Sequence, residues 1–321
     1  MNLIEIGKLT EEEARGYIEK ILWPDGIPVC PHCGHKGGWA INGESHRDGL
    51  YKCTVTACRK PFTVTVGTVM ESSHITIRQW VIAFHLMCSS KKGISALQLK
   101  RELGLGSYQS AWHLAHRIRL AMNEDPMLKL LSGTVEVDET YVGGKPRKGN
   151  AGSPDKPKSK RGRGASNKVA VLALVERNGR PVSKPIERAD TKTLEGAIKE
   201  VVHKDSEIMT DEWAGYRTIG RDFTGGHWTV NHGIGKFPRE RISTNTVESY
   251  FDLLKRVIHG AFHHVSKIHL HRDCDEFSFR WNHRKINDGE RTVEAIKGGN
   301  GKRLMYRQTR ENNYDQDKGT A

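Results

Sequence analysis

The chain has no apolar run close to the roughly 20 residues that a bilayer-spanning helix needs. Its first residues, Met1-Asn2-Leu3-Ile4-Glu5-Ile6, lack the basic and apolar blocks of a secretory leader. Both absences lead us to expect a cytoplasmic protein. Cysteine is sparse, with six residues, and in a reducing compartment these are not expected to form structural disulfides. No motif with a nucleophilic Ser or Tyr stands out, and there is no internal repeat. Acids are outnumbered: 38 Asp and Glu stand against 51 Lys and Arg, a formal charge of +13 with a pI near 9.5. Such an excess favours a polyanionic partner, although solubility through net charge would also account for it.

At 321 residues the chain has room for one large domain and one or two small ones. Residues 9–23 predict a short helix opened by Thr10, with Glu11, Glu12 and Glu13 in its first turn. Trp23-Pro24-Asp25-Gly26 then forces a turn. Residues 76–122 predict helices, and residues 134–283 alternate strand and helix patterns, as in an α/β layer architecture. Beyond residue 305 the chain is polar, with the composition of disorder.

Four of the cysteines form two short-spaced pairs. Cys30-Pro31-His32-Cys33 is followed, after nineteen residues, by Cys53-Thr54-Val55-Thr56-Ala57-Cys58. Each pair supplies two thiolates from one knuckle, the pattern of a tetrahedral zinc site. Four protein thiolates leave no open coordination position, so the expected zinc is structural. His32, His35 and His46 are alternative ligands. Cys88 and Cys274 sit in apolar helical contexts and are expected in the core.

Ile94 to Gly104 predicts a helix, and a turn through Gly106 leads into a second one starting near Tyr108. Two helices joined by a short glycine-containing turn have the form of a helix-turn-helix, which would aim Ser107, Tyr108, Gln109 and His113 at a major groove. Three packed helices that merely join two domains are the competing interpretation. Residues 143–168 hold nine Lys or Arg and one acid, Asp155. A segment of that composition cannot build a core. Lys145, Arg147, Lys148, Lys160, Arg161 and Arg163 are its candidate phosphate contacts, close in sequence to an acid at position 138.

Three carboxylates have matching surroundings. Asp138 and Asp211 each end an apolar, strand-like run, and Glu248 lies on an amphipathic helical segment. Oxygen ligands gathered from two strand ends and a helix suit a pair of hard divalent cations. Taken singly, each has a plainer role: a turn residue for Asp138, an N-cap for Asp211, a capping box for Glu248. Val247, Tyr250, Phe251, Leu254 and Ile258 form one apolar stripe, with Glu248, Asp252 and Lys255 along a polar flank. Glu248 and Lys255, two turns apart, project side by side.

The chain resembles the ISXO-like insertion-sequence transposases. The resemblance rests on Trp23-Pro24-Asp25-Gly26 with the four cysteines, Val137-Asp138-Glu139-Thr140-Tyr141-Val142-Gly143-Gly144 and Thr210-Asp211. It continues through Thr244-Asn245-Thr246-Val247-Glu248, Leu254-Lys255-Arg256, His263-His264-Val265-Ser266 and Glu276-Phe277-Ser278-Phe279-Arg280-Trp281-Asn282. It implies an α/β, ribonuclease-H-like DDE catalytic domain behind a small zinc ribbon and a helical, helix-turn-helix-like region. The corresponding boundaries are an N-terminal helical segment 1–26, zinc ribbon 27–74, helical region 75–132, catalytic domain 133–290 and polar tail 291–321.

The resemblance makes Asp138, Asp211 and Glu248 a catalytic triad holding Mg²⁺ or Mn²⁺, with Lys255 as the basic residue after the third acid. Asn245 shares or assists the role of Glu248, and His232 and His264 are possible supporting residues. The implied activity is cleavage at transposon ends and strand transfer, with terminal-repeat and target DNA as partners. A homodimer or larger assembly on DNA and a bacterial, nucleoid-associated location follow from the same resemblance. A DNA-binding regulator derived from an inactive transposase, and a nuclease of the same fold without strand transfer, are the alternatives.

Overall fold

The computed structural model describes residues 1–43, 45–124, 129–143, 168–230, 243–262 and 265–307. The chain divides into two compact units, one built from Met1–Glu124 with the residues from His283 onward, the other from Asp125–Asn282.

The first unit opens with helices α1 (Leu3–Lys8) and α2 (Glu11–Leu22). Thr10 caps α2 as the sequence leads one to expect: its side chain accepts from the Glu13 amide, and Glu13 returns the bond to the Thr10 amide. A small antiparallel sheet follows, β1 (Gly38–Ala40), β2 (Tyr51–Cys53) and β3 (Pro61–Phe62). A sheet this small has little core of its own, and Trp23 packs ring against ring with Tyr51 of β2 and Phe62 of β3.

Helices α3 (Ile77–Ser89), α4 (Ala96–Glu102) and α5 (Tyr108–Met122) come next. Gly104 ends α4 at φ +64, a backbone state that other residues adopt only with strain. Ser107 caps α5 by accepting from the Ser110 amide. Cys88 is buried, as expected.

The unit is completed from the far end of the chain. Helix α9 (Asp288–Lys297) buries Thr292, Ala295 and Ile296 and packs on α3. Thr292 bonds the buried His85 ring (3.2 Å), and Arg291 donates to the Cys88 carbonyl (2.8 Å). The boundary expected at 290/291 therefore falls inside a helix, and residues 291–297 are structured rather than a polar tail. Their charged outer face hides the buried stripe of Thr292, Ala295 and Ile296 in a composition average.

The second unit is a five-stranded sheet with helices on both faces. Its strands are β4 (Thr134–Val142), β5 (Val169–Glu176), β6 (Pro181–Ile186), β7 (Glu207–Asp211) and β8 (His227–Val230), in spatial order β6-β5-β4-β7-β8. The β4–β5 and β5–β6 pairs are antiparallel, whereas β7 runs parallel to both β4 and β8. Alternation in β5 shows why both faces are covered: Leu172 and Leu174 join one core, Val171, Ala173 and Val175 the other. The first core is closed by α6 (Thr191–Val201), through Leu194 and Ile198. The second is closed by α7 (Asn245–Val257) and α8 (Leu270–Asn282). Val247, Tyr250, Phe251, Leu254 and Ile258 are all buried, as their periodicity predicts, and so is Cys274. Helix α7 runs on into a wider π turn, Ile258–Phe262.

Candidate active site and zinc centre

The four cysteine sulfurs lie within 4.8 Å of one another, with Cys30–Cys58 at 3.9 Å and Cys33–Cys53 at 3.6 Å. A tetrahedron with zinc–sulfur bonds of about 2.3 Å places its sulfurs about 3.8 Å apart, so the observed spacing fits zinc. Gly34 turns the first knuckle at φ +73, and its amide bonds the Cys30 carbonyl (2.8 Å). In the second knuckle the Cys58 and Arg59 amides both bond the Val55 carbonyl, with Arg59 at φ 45. Among the described residues these four thiols are the set that closes so tightly. The alternatives His32, His35 and His46 are not in it.

The three acids stand on neighbouring elements of the second unit. Asp138 is on the central strand β4, Asp211 ends the adjacent parallel strand β7, and Glu248 lies in the first turns of α7, which covers that face of the sheet. Burial pushes the Asp138 carboxyl up to about 7, and the negative charges of Glu139, Asp211 and Glu248 push in the same direction. The fold thus holds Asp211 and Glu248 each within electrostatic reach of Asp138, though not in the tight cluster that the cysteines form. Asp211 Oδ1 accepts from the Trp213 amide (3.1 Å), which makes it a turn-stabilising residue rather than the cap of a long helix. Glu212 is exposed.

Glu248 is exposed and accepts from the Thr244 hydroxyl (3.1 Å). The capping box considered for it does not form. Helix α7 starts at Asn245, so its third residue is Val247 and not Glu248. Two amides of the first helical turn are instead taken by a residue far away in sequence. Glu136, fully buried on β4, accepts from the amides of Thr246 (2.7 Å) and Val247 (3.1 Å) and from the Thr246 hydroxyl (3.0 Å). A carboxylate at this helix N-terminus also meets the positive end of the helix dipole.

Arg177, just after β5, neutralises Glu136 through Nε (3.0 Å) and a second nitrogen (2.9 Å). The same guanidinium reaches the Ser243 carbonyl (3.1 Å) and the Met209 sulfur (3.8 Å). Glu136, Met209 and Thr246 each lie two residues before one of the three acids. One buried ion pair therefore ties together β4, β7 and α7 immediately beneath Asp138, Asp211 and Glu248. Sequence alternation places Glu136 on the same strand face as Asp138, but nothing local says that a helix end sits on it.

Local sequence marks neither Glu139 nor Tyr216 as a site residue. Glu139, on the opposite face of β4, accepts from the Tyr216 hydroxyl. Burial, then the charges of Glu139, Asp138 and Asp211, hold the Tyr216 phenol above its ordinary range.

Lys255 is exposed two turns along α7, its ammonium 5.9 Å from the Phe251 ring centroid. Asn245 is exposed at the first position of the same helix. In the first unit, Tyr108 and Gln109 are exposed at the start of α5, with Ser107 occupied as its cap. His113 is half-buried and meets the Tyr306 ring edge to face at 5.4 Å, rather than pointing out with Tyr108. Lys145, Arg147, Lys148, Lys160, Arg161, Arg163, His232 and His264 lie outside the described residues.

Residues 130–282 match the ISXO2-like transposase domain, and residues 9–61 match the transposase zinc-ribbon domain. These matches define the class: a transposase domain joined to a zinc ribbon. The chain is similar to a Halobacterium salinarum protein described as an uncharacterised protein in transposable element ISH50. Identity is 28% over 254 residues, covering 77% of this chain and 83% of that protein. The chain thus carries an ISXO2-like transposase domain and a transposase zinc-ribbon domain, and its similarity extends to a protein of an insertion-sequence element. Among the described residues, no helix is long and apolar enough to cross a membrane.

Proposed function

We propose that this chain is a DNA transposase with a ribonuclease-H-like catalytic domain, which cleaves transposon ends and joins them to target DNA. The observation that carries this reading is the gathering of Asp138, Asp211 and Glu248 from β4, β7 and α7 around a carboxyl raised to about 7. Carboxylate oxygens are the donors hard cations prefer, and mutual repulsion among these acids is relieved by positive charge. Mg²⁺ or Mn²⁺ held there would supply Lewis-acid activation of the attacking oxygen and stabilise charge on the leaving one.

The residues of the chain divide the remaining work. Asp138 and Asp211, on adjacent strands of one sheet, give the site a rigid floor, and Glu248 closes it from the helix. Lys255, two turns from Glu248, would hold a phosphate oxygen of the strand. In the first step a water oxygen bonds to phosphorus at the transposon end and the bond to the 3′ oxygen breaks, leaving a 3′-hydroxyl. That hydroxyl then attacks a target phosphodiester, and the target's own 3′ oxygen departs with the proton.

DNA recognition is assigned to the zinc ribbon, to Ser107, Tyr108 and Gln109 at the start of α5, and to the basic 143–168 segment. Pairing of two ends calls for a homodimer or larger assembly.

The test is strand cleavage and joining on a labelled terminal-repeat substrate with Mg²⁺. Asp138→Asn and Asp211→Asn keep side-chain size but remove the charge, and are expected to lose several orders of magnitude in cleavage while still binding the repeat. Glu248→Gln is expected to behave alike. Joining at the wild-type level in that variant would remove Glu248 from the site and direct attention to Asn245.

A further inference from the structure

A cleft of about 330 Å³ opens in the first unit between the Glu71–Ile75 segment, one face of α5 and the Arg303–Tyr306 segment. Ser110, His113, Leu114 and Arg117 recur at helical spacing, so a single stripe of α5 forms one wall. The exposed Tyr108 and Gln109 are not part of that wall.

Arg117 is only 5% exposed. Its guanidinium lies over the Trp80 ring, 5.1 Å from the centroid, and donates to the Glu71 carbonyl. Its Nε has no hydrogen-bond partner among the described residues. Glu71 is the carboxylate in reach, but its oxygens already accept from the Gly67 amide (2.9 Å) and pair with Arg303 (3.1 Å). Two guanidinium groups thus share one carboxylate. Burial, and then the charge of Arg303, pull the Arg117 pKa down to about 10, which leaves it cationic at neutral pH.

A buried cation short of counter-charge is costly, and an anion relieves it. Beside this positive wall stand the His113 and Tyr306 rings. Guanidinium groups next to aromatic rings are the combination that holds single-stranded nucleic acid: cation to phosphate, ring to base. The cleft volume falls at the lower end of the range for small-molecule sites, roughly 300–1,000 Å³.

We propose that this cleft is a nucleotide subsite. It takes one phosphate of a DNA strand on Arg117 and Arg303 and the attached, unstacked base against His113 and Tyr306. The inference rests on the DNA-binding reading above, but it needs neither the acidic cluster nor a divalent cation.

The experiment uses the full chain without added divalent cation. A single-stranded oligonucleotide carrying iodouracil is photo-cross-linked and the modified peptides are mapped, while fluorescence anisotropy gives the affinity. Cross-links to Tyr306 or His113 are expected. Arg117 is buried and its replacement could unfold α5, so Arg303→Gln and Tyr306→Ala carry the affinity test. Each is expected to weaken single-strand binding by about tenfold.

Competition with inorganic phosphate alone separates a bare anion site from a nucleotide site. If phosphate displaces the strand and a mononucleotide competes no better than phosphate, the proposal is overturned. Cross-links confined to other segments, or wild-type affinity in both variants, overturn it as well. Asp138→Asn is expected to cross-link like the wild type, so failure of the catalytic reading would leave this result standing.

Discussion

Replacing Glu136 with Gln tests whether the buried ion pair beneath the acids holds the site together. Glu136 accepts five hydrogen bonds, four from N–H groups and one from the Thr246 hydroxyl. Whichever way a glutamine is turned, its amide nitrogen faces donors. It meets the Arg177 guanidinium on one side or the Thr246 and Val247 amides on the other. The change also leaves Arg177, whose side chain is 25% exposed, without its carboxylate.

Breaking a buried pair by removing one partner costs about 3–5 kcal/mol. For a unit the size of Asp125–Asn282, each kcal/mol moves Tm by about 2–4 °C, so a drop of about 10 °C is expected. Thermal unfolding followed by circular dichroism measures it, with Glu200→Gln as the comparison. Glu200 pairs with Lys184 at the surface, where about 1 kcal/mol or less is at stake. Cleavage should fall too, because α7 carries Glu248. If Glu136→Gln melts within 2 °C of the Glu200→Gln protein, the claim that this carboxylate anchors α7 is wrong.

Three further outcomes are expected. Replacing Cys30 and Cys33 together with Ser should release zinc and loosen the first unit; elemental analysis that still finds one zinc per chain would reject the four-thiol site. The pH dependence has a definite sign. Asp138 has a folded pKa of about 7 against an ordinary 3.8, so the metal-free folded state binds the extra proton between those values and loses stability as pH rises through them. Melting curves from pH 5 to 8 should therefore show the wild type falling relative to Asp138→Asn, with Mg²⁺ restoring it at pH 8; parallel curves would contradict the shift. Deleting residues 147–163 should flatten the plot of log affinity against log salt, since those cations would displace counter-ions from phosphates, and an unchanged slope would show that they make no phosphate contact.

Much of the molecule is written in local spacing. Two cysteine pairs with a hairpin between them suffice to mark the zinc centre, because each knuckle is built from residues within a few positions of one another. The cap at Thr10, the helices on either side of Gly104 and the buried stripe of α7 follow from periodicity and turn chemistry for the same reason. Asp138, Asp211 and Glu248 could be nominated from two strand ends and a helix. That they lie near one another is a property of the sheet order, in which β7 inserts beside β4.

Tertiary structure alone decided the rest. Glu136 reads as one more polar strand residue until α7, 110 positions later, sets its N-terminal amides on it. The Thr-Val-Glu sequence invites a capping box, yet the helix begins one residue too early to make one. His113 belongs by spacing to a recognition helix, but Tyr306 from the other end of the chain packs against it. The polar outer face of α9 conceals its role in the first unit until α3 is there to cover its buried side. In each case the deciding partner is distant in sequence, and a side chain's own neighbours carry no record of the hydrogen bond or apolar surface that such a partner will bring.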